Sequence, residues 1–208
     1  MKKKSIFLQM AMMVLVFAIA FIGCEPEPNT NTETDTWSAV TDLSQLDGRW
    51  VGSRSVTISL QDYLDDDPLK EQFKNLDVKV NLIDTHNRTI NINEYGNGSG
   101  YSEETTYYKY HGKDVKTFWD YYSKDEEGNY YDDYCVTYGN RTYYITYDHE
   151  NYTSIIKATS TLNEGDVAFY FYISLEYNLL EINQNGTKIR ERSDDSYFND
   201  SYLILTKQ

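Results

Sequence analysis

Cysteine is scarce in this chain: Cys24 and Cys135 are the only two in 208 residues. That rules out a disulfide framework, so the fold must rest on its own apolar core. Cys135, in "YYDDYCVTY", sits at strand spacing among acidic neighbours. A reactive thiolate wants a basic, partly exposed setting, so the residue reads as a small buried apolar group. Positive charge is also in deficit, with 19 Lys and Arg against 33 Asp and Glu and a formal charge of −14. Such a surface repels phosphates, which excludes nucleic acid as a partner. Histidine is limited to three residues, none at a spacing that seats zinc. "KDEEGNYYDD" and "YLDDDP" are rich in carboxylates. The first has its glycine misplaced for a calcium loop, and the second reads as a charged helix start. No metal and no cofactor are therefore expected. Nucleophile-elbow, P-loop and dinucleotide patterns are all missing, and the chain reads as a non-enzyme.

A long hydrophobic run occurs once, at the N-terminus. "MKKK" is followed by "SIFLQMAMMVLVFAIAFI", then "GC", then the polar "EPEPNTNTETDT". That order is a secretory signal peptide over residues 1–23. The closing "FIGC" resembles a bacterial lipobox. The resemblance implies that Cys24 becomes the mature N-terminus and carries acyl chains, which anchor the protein to a membrane. The alternative is an uncleaved membrane anchor. Either places the remainder outside the cytoplasm, in a bacterial cell envelope at the outer membrane or cell surface. Glu25 and Glu27 resemble the acidic sorting signals of surface-exposed bacterial lipoproteins. Removal of residues 1–23 takes Lys2, Lys3 and Lys4 away and moves the charge to −17. Residues 24–40 are polar and suit a flexible tether. Residues 41–208 suit one domain.

That domain reads as strand after strand. In "GRWVGSRSVTISL", Trp50, Gly52, Arg54, Val56, Ile58 and Leu60 share one face. "DVKVNLI", "RTININ", "DVKTFWDYY" and "DVAFYFYISL" alternate in the same way. The third aligns Val115, Thr117, Trp119 and Tyr121, and the fourth aligns Val167, Phe169, Phe171, Ile173 and Leu175. "HN" at 86, "NGSG" at 97, "EEGN" at 126, "GN" at 139, "NEG" at 163 and "NQNG" at 183 read as turns. "TDLSQLDG" suits one helical turn before the first strand. "DDDPLKEQFKNL" suits one short helix after it, with Asp67 capping and Leu69, Phe73 and Leu76 on one face. The expected fold is all-β: an antiparallel up-and-down barrel of about 8–10 strands, closed to remove its edges, with a two-sheet sandwich as the alternative. Tyrosine, at 21 residues against 8 Phe, carries much of the burial.

"GRW" (Gly48, Arg49, Trp50), after a helical turn and at the start of a strand, resembles the G-x-W signature of lipocalins. "TYDHENY", Thr146 to Tyr152, resembles a displaced form of that family's second signature. The helix after the first strand is similar to the lid of fatty-acid-binding proteins, a sister family in the calycin superfamily. The resemblance implies a calycin-type barrel in which Gly48 and Trp50 close one end. It also implies a late arginine across the Trp, for which Arg190 and Arg192 are the candidates. The lumen would hold a small hydrophobic or amphipathic ligand against Arg54, Val56, Ile58, Trp119, Tyr121, Phe169 and Phe171. Arg54 is the odd member of that face. A buried guanidinium must find an anion or water. The candidates are an internal carboxylate such as Asp120 or Glu181, a ligand carboxylate, or solvent reached through a bulge at Gly52. A second functional class remains open: a surface module that recognises glycan or protein through exposed Tyr and acidic loops.

Overall fold

The structure is a computed structural model that describes residues 35–162, 180–192, 196–198 and 202–208. Cys24, Phe169 and Phe171, with the N-terminal hydrophobic run, lie outside the described residues. Among the described residues, no helix is long and apolar enough to cross a membrane. The folded unit begins at Thr36. Its first strand, β1 (Trp37–Ala39), falls inside the stretch read as tether, which is corrected accordingly. A 3-10 turn (Leu43–Leu46) follows, where Asp42 accepts a bond from the Ser44 N–H and Gln45 reaches back to the Asp42 N–H.

Three long strands build the centre: β2 (Gly48–Ser59), β3 (Val78–Ile92) and β4 (Gly98–Gly112). Between β2 and β3 lie two four-residue helices, α1 (Leu60–Tyr63) and α2 (Lys70–Phe73). Ser59 caps α1, and the Asp67 carboxylate accepts from the Leu69 N–H at 2.8 Å ahead of α2. After β4 comes α3 (Val115–Tyr122). Then follow β5 (Tyr134–Tyr138), β6 (Arg141–Asp148), β7 (Thr153–Leu162), β8 (Leu180–Asn183), β9 (Lys188–Arg192), a 3-10 turn (Ser196–Phe198) and β10 (Tyr202–Lys207).

The described strands form one antiparallel sheet in the order β1-β8-β9-β10-β2-β3-β4-β7-β6-β5. Among the described strands the sheet is not closed: β1 and β5 stand at its two ends. The order departs from a plain meander where β4 pairs with β7, where β10 pairs with β2 and where β1 pairs with β8.

Three further expectations are corrected. The stretch "DVKTFWDYY" is helix α3, not a strand. Phe118 and Trp119, adjacent in sequence, are both fully buried, which a half-buried strand cannot arrange. The "HN" at 86 is no turn, because β3 runs unbroken from Val78 to Ile92 and buries His86. Cys135 lies on β5, where all five residues are exposed.

One face of the sheet is interior, and it holds two apolar clusters. The first gathers Leu46, Trp50, Ile90, Leu180, Ile189 and Leu205. The second gathers Leu60, Phe73, Val80, Leu82, Tyr110, Phe118 and Trp119 at the helical end. The last strand, β10, comes close to β2 at Gly52. A Cβ there would lie 2.1 Å from the Ile204 carbonyl oxygen, so β10 can press against β2 only because the residue is glycine.

Candidate functional site

Along β3 the interior face reads Val78, Val80, Leu82, Asp84, His86, Arg88, Ile90. Apolar residues stand at both ends and a polar step of three buried residues in the middle. This step separates the two apolar clusters. Arg54 on β2 is paired in register with Asp84, so no bulge at Gly52 sends it to solvent. Its Nε and Nη2 each lie 3.0 Å from Asp84 Oδ2, and its side chain is only 14 % exposed. The Phe198 ring covers the guanidinium at 4.0 Å. The internal partner is therefore Asp84, not Asp120 or Glu181. Asp120 instead accepts from the Tyr130 hydroxyl and pairs with Lys116, and Glu181 pairs with Arg190.

The rest of the step completes the charge balance. His86 Nε2 lies 2.9 Å from the same Asp84 oxygen. Its Nδ1 faces Arg88 Nη2 at 3.3 Å. A guanidinium can only donate, so Nδ1 accepts, and the proton sits on Nε2 and points at Asp84. Arg88 Nη1 reaches Glu191 Oε2 at 2.9 Å, and Arg141 pairs with Glu104. Three guanidiniums thus meet three carboxylates around the His86 imidazole. Burial works to raise the Asp84 pKa, but His86 and Arg54 outweigh it and hold the carboxyl below its ordinary value. Among the described residues, each guanidinium of the step faces a carboxylate. Arg54 Nη1 and Ser102 Oγ are buried there with no hydrogen-bond partner among the described residues.

The other named candidates scatter. Trp50 is fully buried and donates its indole N–H to the Leu46 carbonyl at 2.7 Å. Gly48 sits at φ +123° under Lys207, and it is Lys207, 5.2 Å from the ring, that lies across Trp50. Arg190 instead packs over Trp37 and Tyr202. Trp119 is fully buried on α3 beside Tyr110. Tyr121, on the same helix, is 51 % exposed and edges onto Phe73. Trp119 and Tyr121 therefore do not share a strand face with Arg54. Val56 and Ile58 flank the second cluster as expected of the β2 register.

A cleft of about 900 Å³ opens at the helical end. Ile58, Leu64 and Pro68 supply apolar lining, Tyr63, Tyr108, Tyr122 and Tyr197 supply rings, and the turn from Asp62 to Asp67 supplies carboxylates. Of the expected ligand contacts among the described residues, only Ile58 lines it. The tyrosines come from four separate segments. Tyr63 and Tyr197 stack with centroids 5.9 Å apart, and Tyr108 meets Tyr63 edge-on at 6.1 Å. The Tyr197 hydroxyl donates to the Tyr63 carbonyl at 2.8 Å, and the Tyr63 and Tyr110 hydroxyls share a bond at 3.3 Å. Burial pushes the Tyr63 phenol far above its usual range, so it stays neutral. Four carboxylates share one wall: Asp62, Asp65, Asp66 and Asp67. Sequence reasoning missed this cleft because its tyrosines lie far apart in the chain; "YLDDDP" was its only local mark. Comparison of the chain with protein-family models, with curated proteins and with solved structures finds no match in any of the three.

Proposed function

We propose that the chain is a lipid-anchored protein of a bacterial cell envelope whose β domain binds a small amphipathic molecule without transforming it. The observation that carries the reading is the tyrosine-walled cleft at the helical end of the sheet. It offers concave apolar and aromatic lining with a few convergent polar groups, the usual make-up of a small-molecule site. Its described carboxylates lie on one short turn, and none faces them from the other lining residues. Two carboxylates on opposite sides of a bound substrate, as glycoside hydrolysis needs, are not offered. Binding is the simpler chemistry. The envelope location is supported by the basic, apolar and polar order of the N-terminus and by Cys24 at its boundary. A calycin-type barrel is supported by "GRW" at the start of β2 and by the pairing of β2 with the last strand.

Two measurements test this. Native mass spectrometry of the full chain, isolated from its membrane in a neutral detergent, should show a co-isolated small molecule. Ile58→Trp, which fills the cleft, should lose that molecule; a protein that carries nothing, or carries it equally with the cleft filled, overturns the reading. Cys24→Ser should move the chain from the detergent phase to the aqueous phase, and unchanged partition would remove the anchor. A second reading is favoured by one surface. Tyr134, Val136 and Tyr138 share one face of β5 and are all exposed. A glycan array answered by the wild type and not by Tyr138→Ser would shift the function to that surface.

A further inference from the structure

We infer that the occupant of the tyrosine-walled cleft is an organic cation: an amine or quaternary ammonium group joined to an apolar body. This rests on the cleft reading above and adds the charge and chemistry of what enters. The described lining contains no Lys, Arg, His, Asn or Gln. Every polar side chain on it is a phenol or a carboxylate. The phenols of Tyr63 and Tyr197 are already engaged, one with Tyr110 and one with the Tyr63 carbonyl. What the cleft turns outward is therefore carboxylate acceptors, phenol hydroxyls and ring faces. A guest that fits must bring the donors and the positive charge.

The aspartates are held in place before any guest arrives. Asp62 takes the Ser59 hydroxyl at 2.7 Å, and Asp67 takes the Leu69 N–H at 2.8 Å. Asp65 is offset by Lys70 at 2.7 Å. Asp66 is exposed and accepts no hydrogen bond among the described residues. One lysine near four carboxylates leaves a negative field in the cleft. Tyrosine faces attract cations through their quadrupole, and ring cages are a common way to hold ammonium groups. Ile58 and Pro68 give the apolar body of the guest a surface to cover. A fatty acid meets the opposite chemistry here: its carboxylate would face four others, and Arg54 is not among the lining residues.

Isothermal titration calorimetry on the full chain in a neutral detergent decides this. The probes are benzyltrimethylammonium, spermidine, benzoate as the anion of similar shape, and maltotriose as a neutral polyol. The two cations should bind, and added sodium chloride should weaken them several-fold. Benzoate and maltotriose should give no heat. Asp65→Asn with Asp66→Asn should weaken the cations by about tenfold. Tyr108→Leu should do the same, while Tyr108→Phe, which keeps the ring, should stay within about threefold. Thermal midpoints of each variant verify folding. If maltotriose or benzoate binds and the cations do not, the cation inference falls and the cleft reading stands. If none of the four binds and no molecule co-isolates, both fall. Cation binding indifferent to the Asp and Tyr108 changes places the site elsewhere and overturns the inference.

Discussion

Asp84 accepts from His86 and from Arg54 through one oxygen, inside a step of buried charge. Its folded pKa lies below the ordinary 3.8. The stabilisation it gives is thus fully present above 3.8 and is lost as pH falls through the folded value. The urea midpoint should fall as the medium is acidified below 3.8, and Asp84→Asn should flatten that part of the profile. At neutral pH the same substitution should cost about 3 kcal/mol, because it strands Arg54 without its counter-charge. An acid profile identical to wild type would show that other carboxylates set the response. The need for a partner at Arg54 followed from its place in phase with Trp50, Val56 and Ile58. Asp84 was not foreseen because "HN" two residues on looked like a turn. The alternation of Val80, Leu82, Asp84, His86, Arg88 and Ile90 does run on without a break, and it was the signal to follow.

Two elements show how local pattern and packing divide the work. Over residues 115–122, Val115, Thr117, Trp119 and Tyr121 fit a strand, while Val115, Phe118, Trp119 and Tyr122 fit a helix. Eight residues of mixed aromatics satisfy both periods, and the choice fell to the helix because Phe118 and Trp119 both enter the second cluster. In β2, by contrast, the odd-even face was readable from sequence alone, since a single phase gathers Trp50, Val56 and Ile58. Gly52 lies on that face without a side chain, and the reason came only with β10. Gly52→Ala would drive a Cβ to 2.1 Å from the Ile204 carbonyl oxygen, a backbone atom that cannot step aside cheaply. We expect a loss of about 2 to 3 kcal/mol in urea unfolding. Ser53→Ala, on the exposed face, should stay within about 0.5 kcal/mol. Equal midpoints for the two would mean that β10 does not press on β2 there.

At the scale of the molecule, β2 and β3 run through both apolar clusters and across the polar step between them. Continuous strands tie the two ends mechanically, so the ends should unfold together. Trp50 reports one end and Trp119 the other. Urea unfolding followed by fluorescence tests this in a Trp37→Phe background, which removes the third tryptophan, with Trp119→Phe or Trp50→Phe added, each curve being set against circular dichroism of the same variant. In each the two signals should coincide; a fluorescence transition that separates from the dichroism would mark the polar step as a boundary between independent units. Much was present in the chain before any coordinates. The acidity, the strand-rich pattern, the turns near residues 126, 139 and 184, and the interior phase of β2 all follow from composition and from the pleat of one strand. The pairing of β4 with β7, the addition of β1 to β8, the choice of Asp84 for Arg54 and the meeting of four distant tyrosines came only with the tertiary structure. The physical reason is range: alternation is a property of neighbours along one strand, whereas partners across the sheet are chosen by which long-range contacts bury the most surface while leaving the fewest charges unmatched.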